Sequence, residues 1–113
     1  MRVLIVSDIH SNLEAFQAVV KDAEEEYGFQ EVWCLGDTVG YGPDPGPCIE
    51  LLRQYEHLAV VGNHDLASVG KLGLEQFNTY AAAANRWTSL QLSPEEVEYL
   101  SSRPLRLERE EFT

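Results

Sequence analysis

The hydrophobic pattern of the chain is dominated by three short apolar runs, and each gives way abruptly to polar residues. Val3-Leu4-Ile5-Val6 leads into Ser7-Asp8-Ile9-His10, Val32-Trp33-Cys34-Leu35 into Gly36-Asp37, and Leu58-Ala59-Val60-Val61 into Gly62-Asn63-His64-Asp65. Runs without polar alternation are the mark of strands covered on both faces, as in a parallel sheet. Residues 2–7, 31–35 and 58–61 are therefore read as strands. Between the first two, Ser11-Asn12-Leu13-Glu14 has the form of a capping box with Ser11 as N-cap. Leu13, Phe16, Val20, Ala23 and Tyr27 then recur at helical spacing up to Gly28, a helix stop. The pattern predicts a βαβ unit.

After Asp37, the Gly- and Pro-rich stretch Thr38–Gly46 predicts a loop, followed by a short helix with Pro47 at its first position and Ile49, Leu52 and Tyr55 on one side. A second βαβ unit ends at residue 61. Beyond Asp65 the pattern becomes helical: Phe77, Tyr80, Ala81, Ala84 and Trp87 form an apolar stripe on one long helix. Ser93-Pro94-Glu95-Glu96 opens another with N-cap, N1 proline and N3 glutamate. Leu105 and Leu107 alternate with Arg106 and Glu108 and predict a fourth strand. No linker composition interrupts residues 1–113, which read as one α/β domain.

Composition narrows the possible partners. Nineteen acidic residues against eight Lys plus Arg leave a formal charge of −11, with no basic stripe, which argues against a long nucleic acid. No apolar run approaches the roughly 18 residues of a membrane span. Cys34 and Cys48 have neither metal-ligand nor disulfide-framework spacing, and read as packed, reduced thiols of a cytoplasmic protein. His57, ahead of the third strand, reads as a surface histidine.

The chemistry sits where the apolar runs stop. In an open parallel sheet the carboxyl ends of the strands line one edge, where ligands bind. Three such ends would bring together Asp8, His10, Asp37, Asn63 and His64: two carboxylates, two imidazoles and an amide. That donor set describes a metal site for two ions. A carboxylate can bridge two cations, and the Asn63 carbonyl oxygen can bind metal without adding charge.

Asp8-x-His10, Gly36-Asp37 and Gly62-Asn63-His64-Asp65, in this order, resemble the motif blocks of the calcineurin-like metallophosphoesterases. The stretch Gly36–Pro45 is similar to the small bacterial phosphodiesterase branch, and the likeness runs to about residue 108. It implies an αββα sandwich, represented here mainly by its first, mostly parallel sheet with helices, the carboxyl-terminal half being absent. It also implies hydrolysis of phosphomonoesters or phosphodiesters at two divalent ions, with Mn, Fe or Zn suited to the mixed donors. By this likeness Asp8 and His10 would bind the first ion, Asp37 would bridge and Asn63 would bind the second. His64 would serve catalysis by hydrogen-bonding the phosphoryl oxygen or leaving group, with Asp65 orienting its ring. The substrate would be a small phosphoester or nucleotide.

Two departures from the family pattern stand out. Gly40 occupies the place where the protein-phosphatase branch has an aspartate, and the family's later histidine blocks have no counterpart after His64. Hydrolysis by this stretch alone is therefore expected to be low, and a non-catalytic interaction or metal-binding protein of the same fold is the alternative. One sheet face would lack its cover, so the chain is expected to form a homo-oligomer through that face.

Overall fold

In the computed structural model, which describes residues 1–113, three parallel strands form one sheet in the order β1 (Val3–Val6), β2 (Glu31–Cys34), β3 (His57–Ala59). The register pairs Leu4 with Val32 and Val6 with Cys34, and Cys34 in turn with Ala59. Side chains alternate between faces along a strand, so these five share one face. Helices α1 (Leu13–Glu26) and α2 (Pro45–Arg53) cover it, and Phe16, Val20, Cys48 and Leu52 pack against Val32, Cys34 and Ala59 in the main core. Full burial of a leucine such as Leu52 contributes roughly 1.5–3 kcal/mol.

The helix boundaries differ from the pattern-based expectation at two starts. Asn12, not Ser11, caps α1: its side chain accepts the Ala15 N–H at 3.0 Å. Ser11 is committed elsewhere, because its N–H donates to the Thr38 carbonyl and its own carbonyl accepts from Asp44 N–H, both at 3.0 Å. The second helix begins at Pro45, two residues before Pro47, and both prolines are tolerated because first-turn N–H groups have no partner inside a helix.

A helical layer follows β3: α3 (Asn63–Ser68), a 3-10 turn (Leu74–Gln76), α4 (Thr79–Gln91) and α5 (Pro94–Ser101). Val39, Ile49, Tyr99 and Leu100 form a second core cluster here. The box at Ser93 and Glu96 forms as expected, Ser93 Oγ accepting from Glu96 N–H at 3.1 Å and Glu96 accepting from Ser93 N–H at 2.9 Å. Only part of the apolar stripe expected on the long helix faces the core. Phe77 precedes α4, Tyr80 and Trp87 are exposed, and the buried positions are Ala81, Asn85 and Thr88. Close packing against the neighbouring helices favours small residues such as Ala81 on that face. His57, expected at the surface, is half-buried and engaged: its Nδ1 donates to the Tyr55 carbonyl at 2.8 Å and its Nε2 lies 2.7 Å from the Tyr99 hydroxyl.

The other sheet face carries Ile5, Trp33, Leu35 and Leu58, with Ile5 57% and Leu35 58% exposed. The chain end lies partly across it. Val61 N–H donates to the Pro104 carbonyl at 3.0 Å, Arg109 pairs with Glu31 at 2.9 Å, and Phe112 packs edge-on against Trp33. The fourth strand expected at Leu105–Leu107 is not formed; only a bridge between Arg109 and Phe112 appears, and Leu105 and Leu107 line an apolar groove with Trp33 and Leu58. No helix is long and apolar enough to cross a membrane.

Candidate metal centre

The carboxyl ends of the three strands converge, and the loops leaving them are laced together by backbone hydrogen bonds. Asp8 N–H donates to the Gly36 carbonyl, His10 N–H to the Asp37 carbonyl and Ser11 N–H to the Thr38 carbonyl, each at 3.0 Å. The β1–β2 ladder thus continues into the loops, but with a sharp change of course. Asp8, His10, Ser11, Asp37 and Tyr41 all have positive φ, between 48° and 59°. Left-handed backbone is tolerated by aspartate and is strained for the others. It turns Asp8, His10 and Asp37 toward a common point instead of letting the strands run on.

At that point His10 Nε2 lies 3.3 Å from Asp8 Oδ1 and 3.9 Å from Asp37 Oδ2. Ligand atoms of His10, Asp37 and His64 come within 4.8 Å of one another. His10 Nδ1 is 3.0 Å from the Val39 carbonyl oxygen, which can only accept, so Nδ1 carries a proton and Nε2 is the ring nitrogen that faces the carboxylates. His64 N–H donates to Asp37 Oδ1 at 3.0 Å, leaving Oδ2 for the His10 side. The Ser7 hydroxyl, 2.6 Å from Asp8 Oδ2, holds that carboxyl below the ordinary range, and His10 adds to the effect. Asp8, Asp37 and Asp65 cluster here without an ion pair to any Lys or Arg. A ring nitrogen and the Asp8 and Asp37 carboxylates, with no Lys or Arg to balance them, fit a divalent cation.

Asp65 has a different task from the one expected. Its fully buried carboxylate accepts three backbone N–H groups: Asp37 and Gly62 at 2.8 and 3.0 Å on Oδ2, and Val39 at 3.0 Å on Oδ1. Burial pushes its pKa up, against the pull of those donors, and the nearby Asp37 charge adds to the rise. It staples the β2 and β3 loops and does not hydrogen-bond the His64 ring. That ring is held by Asn85 of α4, whose Oδ1 lies 3.1 Å from His64 Nδ1. Asn63 stands exposed at the first position of α3, beside His64.

Gly62 explains how Asp37 fits. A Cβ at residue 62 would collide with the Asp37 carboxylate, so only glycine allows the β3 turn to pass so close. Asn85 and Tyr41 were not legible as site residues. The Tyr41 ring, 53% exposed, lies 5.1 Å from His10 and 4.7 Å from His64 between centroids. Tyr41 lies within the glycine- and proline-rich loop, which was the one signal available for it.

A parallel α/β sheet that gathers acids and imidazoles at its strand ends is a scaffold suited to binding metal. The chain belongs to the calcineurin-like phosphoesterase family, which it matches over residues 1–107. It is 46% identical over 106 residues to an uncharacterized protein of Methanocaldococcus jannaschii, covering 94% of this chain and 43% of that protein. The crystal structure of a metallophosphoesterase from Sphaerobacter thermophilus superposes with a TM-score of 0.80 at 46% identity, over 96% of this chain and 44% of that one. A symmetrical bis(5'-nucleosyl)-tetraphosphatase of Glaesserella parasuis is 31% identical over 68 residues, 58% of this chain and 25% of that enzyme. The chain therefore spans less than half the length of these relatives.

Proposed function

We propose that Asp8, His10, Asp37 and Asn63 belong to a centre for two divalent metal ions that hydrolyses a small phosphoester of the nucleotide type. The observation that carries this reading is the convergence of His10, Asp37 and His64, with His10 held so that Nε2 faces the carboxylates. When bound, such ions would acidify an attacking water and offset the charge of the phosphoryl group. Manganese, iron and zinc all suit the mixed oxygen and nitrogen donors. His10 offers Nε2, Asp8 offers Oδ1 from the solvent side, and Asp37 is fixed through Oδ1 so that Oδ2 remains available. Asn63 extends the donor set toward the second ion. His64 has its Nδ1 engaged, leaving Nε2 free; once protonated, Nε2 would donate to the phosphoryl oxygen or return that proton to the departing oxygen. Asp65 serves this chemistry through the backbone it fastens.

The nucleotide character of the substrate is supported by the tetraphosphatase relative and by the half-exposed Tyr41 ring, which offers a base a stacking surface. Two buried free thiols suit a cytoplasmic setting. The apolar groove beside Trp33 and Leu105 supports self-association through the open sheet face.

The metal reading is tested by melting curves. Mn²⁺ at a hundredfold excess over Kd should stabilise the chain by about 2.7 kcal/mol, and Asp37→Ala should abolish the gain. Identical melting with and without Mn²⁺, Zn²⁺ and Fe²⁺ would overturn it.

A further inference from the structure

Asn85 is a fully buried amide in the middle of α4, on the face turned toward α3. Its Oδ1 meets His64 Nδ1 at 3.1 Å, while its Nδ2 has no hydrogen-bond partner. Burying an N–H without a partner is destabilising, and an alanine or leucine would serve a helix interface without that cost. The amide is thus poorly explained by packing and well explained by the imidazole it touches.

A second loop keeps room for the same contact. A Cβ on Gly40 would come within 2.9 Å of His64 Cβ, 3.0 Å of His64 Nδ1 and 3.1 Å of Asn85 Oδ1. Gly40, His64 and Asn85 come from three separate segments and meet at one hydrogen bond. The partner's chemistry also matters. An amide oxygen accepts the ring proton without placing another negative charge beside Asp8, Asp37 and Asp65, where a phosphoester must approach.

We infer that Asn85 is the positioning residue for His64: its amide oxygen fixes the ring as the Nδ1–H tautomer and so makes Nε2 the atom presented to the phosphoester. What Nε2 then does rests on the function proposed above. The tautomer does not, and the two can fail separately.

The test uses the full chain with 15N-labelled histidine, metal-free, at a pH where the ring is neutral. Long-range proton–nitrogen correlation should show His64 with a protonated Nδ1 and a bare Nε2. Asn85→Ala should release the ring into a mixture of tautomers while the rest of the spectrum stays native. Asn85→Asp, whose carboxylate can only accept, should restore Nδ1–H. An Nε2–H ring in the wild type, or an unchanged Nδ1–H ring in Asn85→Ala, overturns the inference. Should the alanine variant fail to fold, the wild-type and Asn85→Asp spectra decide. With Mn²⁺ and an aryl phosphodiester, Asn85→Ala should lower kcat by about tenfold or more with little change in KM. A wild-type chain that neither binds Mn²⁺ nor turns over the ester, yet shows the pure Nδ1–H ring, would refute the proposed function and leave the role of Asn85 intact.

Discussion

Removing the Asp65 carboxylate should loosen the fold and the metal centre together. Asp65→Ala leaves three backbone N–H groups, those of Asp37, Val39 and Gly62, without their acceptor. At roughly 1–3 kcal/mol for each buried unsatisfied donor, the gross loss is about 3–9 kcal/mol. Two effects reduce it. Water can enter the space vacated, and the wild-type carboxylate is itself disfavoured by burial, which is why its pKa is raised. A net loss of about 3 kcal/mol is expected, or roughly 10–15 °C in Tm for a domain of this size. Asp65→Asn keeps an oxygen for Asp37 and Gly62 but turns an NH2 toward Val39 N–H, so about 1–2 kcal/mol is expected. The pH dependence has a defined sign. A carboxyl whose folded pKa lies above its unfolded value of 3.8 adds stability below that value, and the gain is lost as pH rises through the folded pKa. Wild type should show that decline, and Asp65→Asn should lack it. Urea unfolding followed by circular dichroism measures all three chains. An alanine variant within about 0.5 kcal/mol of wild type would refute the staple.

Other perturbations separate the parts of the site. Gly62→Ala should displace Asp37 and weaken Mn²⁺ binding, measured by calorimetry, by more than the melting temperature alone accounts for; wild-type affinity would mean that the turn has slack. His64→Ala should reduce aryl phosphodiester turnover more than Mn²⁺ affinity, and an equal loss of both would make His64 a ligand. Trp33 and Arg109 hydrogen-bond Glu31 and depress its pKa, so the hold on the chain end is present above the ordinary value of 4.5 and lost as pH falls through the lowered one. Trp33 fluorescence in a Trp87→Phe background should report that release, and Arg109→Ala should show the released signal at neutral pH. A signal that ignores both changes would sink the clasp.

The parts of this molecule that were legible in its sequence are those where one physical rule decides. Three unbroken apolar runs identified the strands, although only the helix-covered face of the sheet is well buried. The positions just after them gathered Asp8, His10, Asp37 and His64 because strand ends share an edge. Ser93 and Glu96 formed their box because nothing else competed for them. Ser11 lost its capping role to Asn12 because the neighbouring loop claimed its backbone. The stripe from Phe77 to Trp87 misled in part, because α4 turns Ala81 inward with Asn85 and Thr88 and leaves Tyr80 and Trp87 exposed. Asn85 itself was invisible, since a polar residue on a helix looks solvated until the opposing ring is known.

Five left-handed residues other than glycine stand in the loops that shape the centre. At about 1 kcal/mol each, less for the aspartates, they hold on the order of several kcal/mol of backbone strain, against a net stability of only about 5–15 kcal/mol for a typical domain. Such a centre is in tension with thermal robustness. Selection for stability alone would move Ser11 and Tyr41 toward glycine or asparagine and relax the loops. Relatives adapted to hot environments would then have to gain their margin elsewhere, in helix packing and chain-end contacts, while the residues around the ions stay strained.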